Sequence, residues 1–126
     1  MPEAATKING ITDDMLVGMP SFAEVAASFQ DFIGDSNLLG HNIEFDIRFL
    51  CKHGVDFFAG GKDRRCYDTL DLAQSVIKKS EIYDYKLGSL CSYYGIVRDG
   101  SHRALSDAYA TGLILRKLVE TQDCVE

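Results

Sequence analysis

The chain has 126 residues, enough for one domain, and its 46% hydrophobic and 25% charged residues are ordinary values for a globular protein. A net charge of −6 is the wrong sign for a protein that grips long nucleic acid through its phosphates. It does not exclude an enzyme that handles a short strand end, where metal ions supply local positive charge.

Cellular location is indicated by what the sequence lacks. No apolar run approaches the length of a membrane span, and the first residues lack the basic-then-apolar layout of a signal peptide. The cysteines are scattered and form no CxxC motif: Cys51, Cys66, Cys91 and Cys124. The sequence therefore predicts a cytoplasmic protein with reduced thiols and no membrane contact, rather than a disulfide framework or zinc site.

The first third of the chain predicts one well-marked helix. Residues 1–20 are expected to be irregular, with at most a short helical turn, since Thr12 followed by two aspartates is typical of a helix start. Ser21 and Glu24 form a capping box, and apolar residues recur behind them at helical spacing. We expect an amphipathic helix over 21–33.

The middle of the chain predicts two short strands, each followed by a helix. Residues 38–39 form a strand that a glycine ends, and a helix follows from about 42 to 53. His53 with its following C-cap glycine indicates a helix-terminal histidine rather than a ligand. After a loop over 55–64, residues 65–67 predict the second strand.

That loop ends in a basic cluster of Lys62, Arg64 and Arg65. A solvated loop explains the cluster, and a phosphate contact is the alternative.

The last third predicts helices. Thr69 can cap a helix over 70–79, apolar spacing closed by a glycine predicts another over 85–94, and a polar loop over 98–102 leads to a last helix over 103–120. Two strands within a helix-rich chain are typical of an α/β sheet protein. A sheet of two strands is marginal by itself.

Two aspartates fall inside helix faces that should be apolar. Asp46 lies between Phe49 and Leu50 on a helical projection, and Asp107 lies inside the apolar stripe of the last helix. A carboxylate on a core-facing stripe is costly unless a cation or donor compensates it. Together with His102, five residues before Asp107, they suggest a divalent metal site with a general base.

Each feature also has a simpler explanation. A buried aspartate is usually structural, capping a helix or taking an arginine, and Asn42 is a good N-cap residue. The two motifs taken together favour the metal site.

These motifs resemble a known family. Residues 41–46, His-Asn-x-x-Phe-Asp, followed by Phe-Leu, are similar to the second motif of the DEDDh-type 3′–5′ exonucleases, which include the proofreading subunit of bacterial DNA polymerase III and related ribonucleases. Residues 102–108, His-x-x-Leu-x-Asp-Ala, resemble the third motif. Residues 8–22 and 86–96 resemble the segments that precede these motifs, so the likeness runs in order from residue 2 to about 119.

The resemblance implies a ribonuclease-H-like fold and a two-metal mechanism, in which four carboxylates hold two Mg²⁺ or Mn²⁺ ions and a histidine deprotonates the attacking water. Carried over residue by residue, Asp46 is the third carboxylate, Asp107 the fourth and His102 the base, a role that suits an imidazole. The same motif provides the expected substrate contacts: His41, Asn42 and Phe45.

The family's first motif, an Asp-x-Glu on the first strand, does not occur in this sequence. We therefore expect 1–126 to be a single truncated ribonuclease-H-like α/β domain, helix-rich, with about two short strands and without the first three strands of the family fold. With half of the ligands missing, Mg²⁺ should bind poorly and the chain alone should be a weak or inactive nuclease. An exposed sheet edge also predicts a homo-oligomer.

Two functions stay open. One is a metal-dependent 3′–5′ exonuclease domain that acts on single-stranded DNA or RNA 3′ ends, with a DNA polymerase as partner. The alternative is a non-catalytic nucleic-acid or protein binding domain derived from the same fold. A gene product without a role of its own is the third reading.

Overall fold

The computed structural model describes residues 2–58, 63–98 and 104–125, with side chains of the last helix described to residue 123. In these ranges the chain forms, in order, α1 (Glu3–Asn9), α2 (Asp13–Leu16), α3 (Phe22–Ile33), β1 (Leu38–Gly40), α4 (Ile43–Lys52), β2 (Cys66–Asp68), α5 (Thr69–Val76), a 3₁₀ helix (Lys79–Glu81), α6 (Leu87–Tyr94) and α7 (Ala104–Val125). The strands β1 and β2 pair in parallel, with Leu38 opposite Cys66 and Gly40 opposite Asp68. The expected helix-rich α/β fold with two short strands is confirmed.

Local signals placed most helix ends correctly. The Ser21 hydroxyl accepts a hydrogen bond from the Glu24 backbone N–H at 3.3 Å, which starts α3. At the end of α4, His53 is the C-cap residue and Gly54 has a φ of 98°. His53 lies between aromatic rings and is helix-terminal, as predicted; its ring centroid is 4.6 Å from that of Phe49.

Three expectations about helices were wrong. Helix α7 continues to Val125, beyond the expected end at residue 120. Residues 3–9 form α1, although the segment was expected to be irregular; the helix buries no side chain and rests on local signals, an acid in its first turn and Lys7 in its last. Helix α5 ends at Val76, short of residue 79, because the chain becomes extended at Ile77. Ile77 is buried in the core and its carbonyl accepts a hydrogen bond from the Tyr85 hydroxyl at 2.6 Å, so a tertiary contact ends the helix.

The larger core lies between α5, α6 and α7. Its buried members are Ala73, Ile77, Leu90, Cys91, Ala110, Ile114 and Leu118. A smaller core contains Ile33, Val55 and Phe57, against which side chains of α3, β1 and α4 pack. The main body is therefore the three-helix side, and the sheet side is more lightly packed.

Arg64 corrects the interpretation of the basic loop. It is buried, and its guanidinium donates to the backbone carbonyls of Phe57, Ser36 and Gly34. It therefore holds the turn before β1 instead of facing solvent or a phosphate, because these carbonyls satisfy its donors. Arg65 is exposed, and Lys62 lies outside the described residues.

Cys51, Cys66 and Cys91 are free thiols, as expected, and the side chain of Cys124 lies outside the described residues. No helix in the described part of the chain is long and apolar enough to cross a membrane.

Candidate active site

Four separate segments of the chain meet at one groove of about 830 Å³. Each of these segments overlaps a stretch of the sequence that resembles an exonuclease motif or the segment before one. The groove is lined by Asn9, Ile11, Leu39, Gly40, His41, Phe45, Asp46, Leu87, Ala104, Asp107, Ala108 and Thr111. The fold thus brings the two predicted metal-binding aspartates, Asp46 and Asp107, to the same cavity.

Asp46 is the fourth residue of α4. The expectation that it lies on a core-facing stripe was wrong: Asp46 is exposed, and its neighbours Phe45 and Phe49 are 67% and 56% exposed. Protein atoms on the groove side still remove part of the water around its carboxyl. This desolvation, and second the negative charge of Asp68, raise the pKa of Asp46 above its usual value.

Asp107 is the fourth residue of α7 and is half-buried. Nη2 of Arg98 donates to its Oδ1 at 2.5 Å. The simpler explanation, an aspartate that takes an arginine, therefore applies to Asp107. The apolar stripe expected on α7 is only partly buried. Ala104 and Ala108, in the first turns, are exposed and line the groove. Further along the helix, Thr111, Ile114 and Leu118 are buried and Leu115 is half-buried.

His41 forms part of the groove wall, and both of its ring nitrogens are engaged within the protein. Its Nε2 lies 2.8 Å from the Tyr85 carbonyl oxygen, and its Nδ1 lies 2.9 Å from the Thr69 hydroxyl. Because a carbonyl can only accept, Nε2 donates to the Tyr85 carbonyl. The Thr69 hydroxyl that contacts Nδ1 also donates to the Gly40 carbonyl at 3.3 Å. His41 thus connects the end of β1 to the starts of α5 and α6.

Asn42 is the N-cap residue of α4, as the simpler explanation expected, but its side chain makes no capping hydrogen bond. The backbone of Asn42 is left-handed, with a φ of 60°, a conformation that asparagine tolerates better than most residues. Its backbone N–H donates to Oδ1 of Asp68 at 2.8 Å. The residue type therefore suits the sharp turn between β1 and α4.

The same turn requires Gly40. A Cβ at this position would lie 2.9 Å from side-chain atoms of Ile43, closer than such atoms approach in proteins. Gly40 therefore allows β1 to run directly into α4, which sets Asp46 beside the strand end.

Asp68 is the structural residue that the sequence interpretation missed. It caps α5, a role expected of Thr69, by accepting from the Leu70 backbone N–H at 2.9 Å. The same oxygen also accepts from Asn42, so one carboxylate joins the starts of α4 and α5. Its signal was an aspartate immediately before a helical apolar pattern, a preferred N-cap residue.

The predicted base, His102, lies outside the described residues. Two positions later, Ala104 lines the groove at the start of α7.

The described side chains do not fit a two-ion site by themselves. Among them, no group of three or more His, Cys, Asp or Glu residues is arranged to hold a metal ion. Asp46 and Asp107 line the groove together, but one oxygen of Asp107 already accepts from Arg98. Mg²⁺ demands a near-octahedral set of oxygen ligands, which two carboxylates do not provide.

Sequence comparisons agree with the convergence of these motifs. A sequence model described as Exonuclease matches residues 1–115. The chain is 38% identical over 121 residues to DNA polymerase III subunit epsilon of Aquifex aeolicus, covering 95% of this chain and 58% of that protein. It is 36% identical over 114 residues to the PolC-type DNA polymerase III of Halalkalibacterium halodurans, covering 90% of this chain and 8% of that protein.

A third relative, DNA polymerase III subunit epsilon of Treponema pallidum, is 35% identical over 108 residues, 86% of this chain and 50% of that protein. The chain thus spans between a twelfth and about three fifths of the length of these relatives. The match to the family model covers most of the chain, and the resemblance to the DEDDh-type exonucleases is confirmed: the chain belongs to the exonuclease family.

Proposed function

We propose that this chain is a 3′–5′ exonuclease domain that hydrolyses phosphodiester bonds at nucleic-acid 3′ ends, and that it is weak or inactive by itself. The observation that supports this most directly is that every motif segment with described residues contributes to one groove. A non-catalytic domain with the same fold would not need both Asp46 and Asp107 at that groove.

In this proposal Asp46 and Asp107 are metal ligands and His102 is the general base. When bound, Mg²⁺ or Mn²⁺ would supply an activated water and stabilise negative charge at the phosphate. The chain's own contribution is the placement of carboxylates at the starts of two helices that share a groove. An imidazole, with a pKa near working pH, suits the transfer of a proton from water.

Further acidic ligands must come from residues other than those described. The edge of β1 that faces away from β2 borders the groove. The backbone N–H of Leu38 donates to the Arg65 carbonyl on the β2 side. Because peptide groups alternate along a strand, the N–H and carbonyl of Leu39 point to the opposite side. In the described part of the chain the sheet has only these two strands. We propose that 1–126 is one domain of the family without its first three strands, and that a strand with Asp-x-Glu at this edge would complete the site.

The same edge supports a proposal about assembly. An unpaired strand edge next to exposed apolar side chains, such as Leu39 and Phe45, favours pairing with another chain. We propose that the isolated chain forms homo-oligomers through β1. Sedimentation velocity should show a dimer or larger species, and a monomer at all concentrations would contradict this.

For the substrate, we propose a single-stranded 3′ end of DNA or RNA. Phe45 is an exposed aromatic ring on the groove wall, suited to stacking on a base, whereas His41 and Asn42 would support the wall through their contacts within the protein. The net charge of −6 suits a short strand end better than a long duplex. The named relatives are DNA polymerase III proteins, which favours a DNA polymerase as partner.

A second candidate is a non-catalytic binding or assembly domain. The pair between Arg98 and Asp107 favours it, because this aspartate is compensated without a metal ion.

A chimera distinguishes the two candidates. We would fuse a three-stranded segment carrying Asp-x-Glu, taken from a family member, ahead of residue 1, and measure degradation of 3′-labelled single-stranded DNA and RNA with Mg²⁺ or Mn²⁺. The chimera should cleave at least about 100-fold faster than the chain alone, and D46N or D107N should remove most of that gain.

The matched control is E44Q, which removes the same charge two residues from Asp46, on an exposed side chain paired with Arg48. It should leave cleavage unchanged. A folded chimera that degrades neither strand would contradict the exonuclease proposal and favour the binding domain.

A further inference from the structure

Arg98 lies in the segment after α6 and contacts Asp107 in the first turns of α7. Its side chain is only 18% exposed, and Nη2 donates to Oδ1 of Asp107 at 2.5 Å. A Cβ at Gly88, on α6, would lie 3.1 Å from Nη1 of Arg98, so the guanidinium is seated directly against that helix. Among the described residues, its buried Nε has no hydrogen-bond partner. Arg98 is therefore held in place by packing and is directed at one carboxylate.

The position of Arg98 holds a positive charge next to Asp107, a carboxylate that lines the groove. The guanidinium of Arg98 is a delocalised cation that lies beside Asp107. It occupies one carboxylate oxygen and compensates the negative charge. A divalent ion at Asp107 would have to displace Arg98 or bind next to it against electrostatic repulsion.

Asp46 lacks such a partner. In the described part of the chain no ion pair includes Asp46, and the charge closest in effect is that of Asp68, which has the same sign. Among the described residues, the groove therefore holds one carboxylate that pairs with a cation of the protein and one that does not.

We propose that Arg98 is a built-in competitor for the cation at Asp107: it satisfies this carboxylate in the ion-free chain and lowers the affinity of the groove for divalent metal ions. The proposal rests on the assignment of Asp107 as a metal ligand. It implies that metal binding at Asp107 depends on additional carboxylates that outweigh the guanidinium, so an incomplete site stays empty instead of holding a misplaced ion.

The test measures Mn²⁺ binding to the full chain without nucleic acid, from the electron paramagnetic resonance signal of free Mn²⁺. R98M removes the charge while keeping an unbranched side chain, and it should raise the affinity about tenfold. R48M is the matched control: Arg48 also pairs at 2.5 Å, with Glu44, but is 78% exposed and lies outside the groove. It should change the affinity less than about twofold.

An affinity that is unchanged or lower in R98M would overturn the proposal. If R98M does not fold, R98Q still tests the proposal, because it removes the same charge while keeping a polar group beside Asp107. It should also raise the Mn²⁺ affinity about tenfold. An unchanged or lower affinity in a folded R98Q chain would contradict the proposal.

The failure of this inference and that of the proposed nuclease function can be told apart. Asp107-dependent cleavage by the chimera, together with an R98M chain whose Mn²⁺ affinity is unchanged, would overturn only the role of Arg98. Tighter Mn²⁺ binding by R98M, cancelled in the R98M/D107N double variant, would support that role even if the chimera does not cleave.

Discussion

Asp46 and Asp107 occupy equivalent local positions but differ in their surroundings. Each is the fourth residue of its helix, near the positive end of the helix dipole, and each lines the same groove. Asp107 is paired with Arg98, whereas Asp46 is desolvated on one side and lies within the field of Asp68. The same motif position can therefore be compensated by a cation within the fold or left exposed to solvent.

The helices that carry the two aspartates also differ in how they are held. Helix α7 is anchored by Ile114 and Leu118, which are fully buried in the larger core. Helix α4 packs on the smaller core through Ile47 and Leu50, which are only partly buried. Asp107 thus lies on the more tightly packed side of the groove and Asp46 on the more lightly packed side.

The largest expected effect tests this difference in anchoring. I114A should lower the free energy of unfolding by about 2–5 kcal/mol, because it leaves a cavity in a closed core. I47A should cost only about 1 kcal/mol, since its site is partly open. Urea unfolding followed by circular dichroism measures both, and equal losses would contradict the comparison.

D107N comes next. This substitution leaves the mostly buried guanidinium of Arg98 without a charged partner. It should lower the free energy of unfolding by about 1 kcal/mol. E44Q breaks the exposed pair with Arg48 and should cost less than about 0.5 kcal/mol. If the two substitutions cost the same in urea unfolding, the Arg98 pair is no more than a surface contact.

D46N should have a smaller effect of the opposite sign. The folded-state pKa of Asp46 is raised above its ordinary value of 3.8, so the folded protein binds this proton more tightly than the unfolded chain. The contribution of Asp46 to stability is fully present below pH 3.8 and is lost as the pH rises through the folded-state pKa.

At neutral pH, the ionised carboxylate of Asp46 therefore destabilises the fold, and D46N should melt slightly above wild type. The advantage should disappear as the pH falls toward 3.8. Melting curves of both proteins between pH 3 and 8 measure this; a D46N variant that melts lower at neutral pH would indicate a compensating partner for Asp46.

F45A should have the smallest effect on stability, within about 0.5 kcal/mol, because the ring is 67% exposed. The affinity of the F45A variant for a fluorescently labelled single strand of nucleic acid, measured by anisotropy, should fall about tenfold if the ring stacks on a base. F49A is the control, since Phe49 is also exposed on α4 but lies outside the groove and contacts His53. Equal losses of affinity would contradict a specific role for Phe45.

Much of the site could be predicted because its signals lie within short stretches. Residues 41–46 carry Asp46 one turn into a helix, and Gly40 and Asn42 mark the turn that precedes it. The exposure of Asp46 could not be predicted, because a helical projection gives the face of a residue but not whether anything covers that face.

The sequence by itself determined most of the helices, the two strands, the family and four of the groove residues, because caps, apolar spacing and motif order are properties of neighbouring residues. The four are His41, Phe45, Asp46 and Asp107. Only the tertiary structure decided which charges meet. Arg64 reaches carbonyls of a turn 28 and 30 residues earlier, and Asp68 joins two helices across 26 residues. Whether Asp107 contacts Arg98 depends on how α6 packs beside α7, and such tertiary contacts leave no periodic trace along the chain.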